Sequence, residues 1–173
     1  MKKLWFVPLL FFHLILQAQP ASDFKVLPDG EDSLLVGRVT AENIWTYFPE
    51  WKADYIIAEP DSAVVSALQS IEESYHIIVV FGTWCPDSRT GLPPFLKALD
   101  LADNADLKLT LYAVDRRLHD PEKSAKEYGV ERVPTFIVLK NGQEVGRMIE
   151  FPEENFESDL IKLLRQNKKR KVE

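Results

Sequence analysis

Hydrophobic positions along this chain follow two periods, and the switches between them outline alternating strands and helices. Ile77-Ile78-Val79-Val80-Phe81 is a continuous, mostly β-branched run, the pattern of a strand buried on both faces of a sheet. Leu107 to Val114 reads as a second strand, and Asp54 to Ala58 as a short one. Thr135 to Lys140 and Glu144 to Glu150 flank Asn141-Gly142, the strongest short signal for a hairpin. Between these runs the period lengthens. Ser62 to Ser74 carries Val64, Val65, Leu68 and Ile71 at helical spacing. Pro86 to Leu101 predicts a helix that Pro93-Pro94 should kink, and Pro121 to Tyr128 a shorter one stopped by Gly129. Asn155 to Gln166 closes the pattern with Phe156, Leu160, Ile161, Leu163 and Leu164 on one face.

Upstream the pattern is weaker. Residues 19–35 hold Pro20, Pro28, Asp29-Gly30 and several acids, and read as an extended or mobile lead-in. Thr40 and Asn43 resemble a helix start ahead of Ile44, although asparagine replaces the Glu or Gln of a standard capping box. Trp45, Tyr47, Phe48 and Trp51 crowd the next stretch. They either pack this extension on the core or form an aromatic platform for a ligand.

The first residues have another character. Lys2-Lys3 precede an apolar stretch from Leu4 to Leu16, broken only by His13, and Gln17-Ala18-Gln19 offers a small residue for cleavage after Ala18. That is the layout of a secretory signal. A membrane anchor is the competing reading, but the stretch is short of the roughly 20 residues a spanning helix needs. No cysteine stands near the cleavage point, so a lipid-anchored N-terminus is not expected. The expected organisation is a signal at 1–18, an N-terminal extension at 19–53, a compact α/β domain at 54–166 and a basic tail at 167–173. The expected place is the periplasm or the outside of the cell, with no stable membrane anchor after cleavage.

At 173 residues, with 46% hydrophobic and 28% charged content, the chain is long enough for one domain with a sizeable core. Its formal charge of −6 argues against a nucleic-acid partner. Removing Lys2 and Lys3 with the signal takes that charge to −8. There is one cysteine, so an internal disulfide is impossible even in an oxidising compartment. His76 and His119 make no zinc pattern with it, and neither a metal nor a cofactor is expected. Lys168-Lys169-Arg170-Lys171 reads as a basic tail. The sequence assigns no oligomeric state.

That single cysteine lies in Val79-Val80-Phe81-Gly82-Thr83-Trp84-Cys85-Pro86-Asp87-Ser88, at the exit of the central strand and the mouth of a helix. Tyr128-Gly129-Val130-Glu131-Arg132-Val133-Pro134-Thr135-Phe136 and Lys140-Asn141-Gly142 follow. With the alternation of elements over residues 54–166, these blocks resemble the thioredoxin-like superfamily. The resemblance implies a three-layer α/β fold with a central mixed sheet flanked by helices, and a cis peptide bond before Pro134 opposite Cys85. It implies a substrate groove along Val133, Pro134 and Thr135, and a site supported by Trp84, Pro86, Asp87 and Arg89. Two positions depart from the family pattern. Ser88 stands where its second, resolving cysteine is found, and Val79 where many members carry a buried acid that moves protons during disulfide release.

Chemically, the attacking half of a thiol-disulfide reaction is what remains. A sulfur at a helix N-terminus faces unsatisfied amides and the positive end of the helix dipole, which favour a thiolate. Ser88 is placed to donate to it, while Asp87 and Arg89 oppose one another. Monothiol exchange with disulfide-bearing clients and an external thiol, covalent retention of a client, and oxidation of Cys85 to a sulfenic acid all use this residue. The alternative class is a non-redox peptide-binding or assembly module that uses the groove beside Pro134.

Overall fold

The computed structural model describes residues 22–170, so the expected signal segment at 1–18 lies outside the described residues. The central strand is β3 (Tyr75–Phe81), paired in parallel with β4 (Leu107–Ala113) and antiparallel with β5 (Thr135–Lys140). Cover on both faces of the sheet explains why its sequence has no polar alternation. Successive residues still divide between faces. Ile77, Val79 and Phe81 join one core cluster, Ile78 and Val80 the other, as the two-residue repeat of a strand requires.

The sheet extends in both directions from this centre. β6 (Gln143–Ile149) returns antiparallel on β5 through Asn141 and Gly142, both at positive φ (52° and 77°), so the expected hairpin forms. On the other side lies a hairpin that the sequence pattern did not reveal: β1 (Asp23–Asp29) and β2 (Asp32–Val39), joined at Gly30. β2 pairs with β4, which gives a six-stranded mixed sheet in the order β1-β2-β4-β3-β5-β6. From Asp23 on, the expected lead-in is therefore extended, as the edge of the sheet. β1 is exposed along most of its length, so it presents no buried face from which to read a strand.

Helices cover the face of Val79 and Phe81. α1 (Ala41–Tyr47) opens with a complete capping box, since Thr40 Oγ1 accepts from Asn43 N–H and Asn43 Oδ1 accepts from Thr40 N–H; asparagine serves in place of the longer acid. α2 (Pro49–Ile57) replaces the strand expected at Asp54–Ala58. Pro49 sits at its first position, as a helix start favours. Trp51 and Tyr55, one turn apart, face the core, while Ile56 and Ile57 face solvent. The apolar run looked like a strand because two of its residues serve no core. α3 (Ser62–Gln69) stops short of Ser74, with Asn104 Nδ2 donating to the carbonyls of Leu68 and Ile71 at 2.8 Å each and so meeting its open end.

α4 (Pro86–Ala102) continues through Pro93 and Pro94, and α6 (Phe156–Arg170) runs beyond the expected Gln166. The two meet around Phe136, whose ring is edge-on to Phe95 at 4.7 Å and stacked on Phe156 at 4.1 Å. On the opposite face, α5 (Ser124–Glu127) is a single turn rather than the helix expected from Pro121, and Asp120 accepts from the Ser124 N–H and hydroxyl at its start.

Gly91 has a packing role in α4. A Cβ there would run into the Phe156 ring. Alanine for glycine inside a helix ordinarily stabilises by about 1 kcal/mol. Gly91→Ala is expected to reverse that sign and destabilise by about 1–3 kcal/mol through overpacking, read as a lower urea midpoint with an unchanged slope.

Candidate functional site

The site is built where β3 ends and α4 begins. Phe81 finishes the strand, Gly82 accepts the Cys85 N–H at 3.0 Å, and Cys85 becomes the N-cap of α4, with Pro86 at the first helical position. Proline fixes the helical φ without wasting a donor. A Cβ on Gly82 would fall 2.6 Å from the Trp84 ring, so glycine lets the indole fold back over the turn. From there Trp84 Nε1 donates to the Val114 carbonyl at 2.9 Å and ties the end of β3 to the end of β4.

Cys85 is only 6% exposed, and its Sγ donates to the Val133 carbonyl at 3.3 Å. The Val133–Pro134 bond is cis, as the resemblance implied. Val133, Pro134 and Thr135 are all buried, and the Thr135 hydroxyl donates to Arg132 O at 2.6 Å. The Pro134 carbonyl accepts the Glu150 N–H at 2.8 Å, which draws the segment after β6 to the same place. The sulfur and the cis-proline backbone thus share one lip.

The other expected residues divide. Ser88 is fully buried one turn below Cys85, but its Oγ accepts from Gly82 N–H at 3.3 Å, while the sulfur turns to Val133. The expected donation from Ser88 to sulfur is not made. Arg89 pairs with Asp54 of α2 at 3.5 Å, both partly exposed. Asp87 lines a pocket on the other side of α4, beside Phe156. The two charges set against each other in the sequence therefore point to opposite flanks.

Residues far away in sequence complete the site. Thr83 Oγ1 accepts from the backbone N–H of Leu35 at 3.2 Å. Arg116 lies 5.2 Å over the Trp84 ring and holds Asp29 through three hydrogen bonds, Nε to Oδ1 at 3.0 Å and to Oδ2 at 3.2 Å, and Nη2 to Oδ2 at 2.8 Å. The β1–β2 hairpin thereby grips the active turn from above. Between hairpin, α2 and turn lies a cleft of about 750 Å³, lined among others by Asp29, Tyr47, Trp51, Trp84, Cys85 and Arg116. No local pattern around Arg116 marks this role. Its partner is 87 residues away, a separation that no local signal bridges.

The Arg116 guanidinium holds the Asp29 carboxyl below its ordinary value, chiefly through the hydrogen bond. For a carboxyl lowered in the folded state, the contribution to stability is present above its unfolded value and is lost as pH falls through the folded one. Arg116→Ala is expected to return the Asp29 titration, followed by NMR at the carboxyl carbon, to the ordinary aspartate range. The accompanying loss of stability should be small, because solvent screens the pair.

Comparison with known proteins agrees with this geometry. The family model described as thioredoxin matches residues 39–162. Thioredoxin H4 of Arabidopsis thaliana is 32% identical over 97 residues, spanning 55% of this chain and 77% of that protein. A thioredoxin of Chlamydia caviae is 30% identical over 91 residues, spanning 53% and 80%. Among solved structures, a protein of unknown function from Pseudomonas aeruginosa superposes with a TM-score of 0.53 at 19% identity, covering 69% of this chain and 82% of its own. That likeness is one of fold.

Proposed function

We propose that this chain, which belongs to the thioredoxin family, captures disulfide-bearing client proteins on Cys85 by monothiol exchange. The observation that carries this reading is the contact between Cys85 Sγ and the Val133 carbonyl at 3.3 Å, which puts the one thiol of the chain at the backbone lip beside cis-Pro134. In the forward step the Cys85 thiolate attacks one sulfur of the client disulfide. A bond forms between the two sulfurs, the client bond breaks, and its other sulfur leaves as a thiolate that takes a proton from water. Losing the Cys85 proton also frees the Val133 carbonyl for the N–H of an extended client. Ser88 cannot attack the mixed disulfide. An external thiol, of a small molecule or a second redox protein, must take the captured sulfur into a new disulfide and return Cys85.

We place this exchange outside the cytosol, on the apolar segment that follows Lys2-Lys3. The intact mass of protein recovered from its own cells is expected to begin after Ala18; a mass that retains residues 1–18 overturns that placement.

The reading is tested by mixing the protein with an oxidised, disulfide-containing client and resolving the products without reductant. A covalent adduct that dithiothreitol dissolves, and that Cys85→Ala abolishes, is the expected result. Binding of the same client with equal affinity by wild type and Cys85→Ala, and no adduct, would establish the non-redox peptide-binding reading instead.

A further inference from the structure

A second, smaller pocket of about 250 Å³ lies on the flank of α4 away from the hairpin, and Asp87, Gly91, Glu150, Phe151, Phe156 and Glu157 are among its walls. It adjoins both sides of the groove. Asp87 follows Cys85 by two residues, and the Glu150 N–H is bonded to the Pro134 carbonyl.

Its carboxylates are not equivalent. Glu150 is bonded to Arg132 at 2.8 Å, and Glu154 lies 3.4 Å from Lys162. Glu157 is 6% exposed, and its carboxyl meets its own backbone N–H but no opposite charge. Burial, with Asp159 nearby, holds it above the ordinary glutamate value. A desolvated carboxyl without a counter-charge is a group that an incoming cation relieves. Asp87 has no ion-pair partner among the described residues either. The rest of the wall sets Thr90 and Asn155 among apolar residues: Phe151 stands 70% exposed at its edge, and Pro94, Pro152 and Phe156 also line it. Such a surface suits the methylene stem of a lysine or arginine whose charged end seeks the carboxylates.

We propose that this pocket selects clients, taking the lysine or arginine side chain of a segment whose flanking cysteine is captured by Cys85. The selection rests on the exchange reading above and adds the client's charge to it. A client carrying a carboxylate at that position meets Asp87 and Glu157 instead and is rejected.

The test uses the full chain and three synthetic peptide disulfides that differ only in a Lys, Gln or Glu flanking the cysteine. The rate of mixed-disulfide formation is followed by mass spectrometry at low and high salt. The Lys peptide is expected to react about tenfold faster than the Glu peptide at low salt, with the ratio shrinking as salt screens the charges. In Glu157→Gln, and separately in Asp87→Asn, that ratio is expected to fall toward one. Equal rates for the Lys and Glu peptides in the wild type, or a ratio that survives both substitutions, overturn the selector. Uncharged hydroxyethyl disulfide separates the two readings. Its reaction without a Lys preference removes the pocket proposal alone, whereas no reaction with any disulfide removes the exchange reading and the selector with it.

Discussion

Ser88→Cys is expected to turn a long-lived mixed disulfide into a transient one. Ser88 sits in the first turn of α4, three residues beyond Cys85 and fully buried against the same turn. A thiol there belongs to the molecule that holds the captured client, so its attack on the Cys85–client bond needs no second encounter. Intramolecular groups of this kind act at effective concentrations far above any free thiol, and the adduct lifetime at millimolar external thiol should fall on the order of 100-fold or more. The new cysteine loses the good acceptor that Ser88 Oγ offers to Gly82 N–H, which costs about 1 kcal/mol and leaves the fold in place. Following the decay of a preformed adduct by mass spectrometry decides the matter. An unchanged lifetime, with the new thiol alkylated normally after unfolding, would mean that the missing cysteine is not what limits release.

How much of this was readable before the fold is a question of range. The central strand, the cysteine turn, α4 and the Asn141-Gly142 hairpin are local patterns, and each forms where its residues predict. Pro134 came through resemblance, and its cis bond stands beside the sulfur. The β1–β2 hairpin was invisible for a physical reason. Its outer strand is a sheet edge with Lys25 and Pro28 on it, residues that keep an edge from pairing further and also erase the alternation by which strands are read. α2 misled in the opposite way, because Ile56 and Ile57 are apolar without being buried. At the site, the sequence held the sulfur, the proline and the serine, but not the clamp. Asp29, Arg116 and Trp84 meet only because the hairpin folds back over the end of β4, and a pair of charges 87 residues apart carries no mark of the other. The direction of the serine hydroxyl was equally out of reach, since it depends on which of Gly82 N–H and Cys85 Sγ lies nearer in the folded turn.

Val79→Asp separates the two departures from the family pattern. Val79 is fully buried in β3, opposite Leu111 on one side and Phe136 on the other, within the larger hydrophobic cluster. A carboxyl there displaces apolar contacts and has no counter-charge in that cluster, so it should lower stability by about 3–5 kcal/mol at neutral pH. Against an ordinary total of about 5–15 kcal/mol, the variant should still fold in the cold, with a clearly lower urea midpoint. The functional expectation differs between backgrounds. Where position 88 is serine, no second thiol exists from which a buried acid could take a proton, so Val79→Asp alone should leave the adduct lifetime unchanged. Combined with Ser88→Cys, it should shorten that lifetime further, because the resolving thiol must lose its proton before it attacks. Faster release in the single variant would instead assign the proton handling to Cys85 itself. The valine would then count as an independent loss, rather than as apolar packing that became tolerable once the second cysteine was gone.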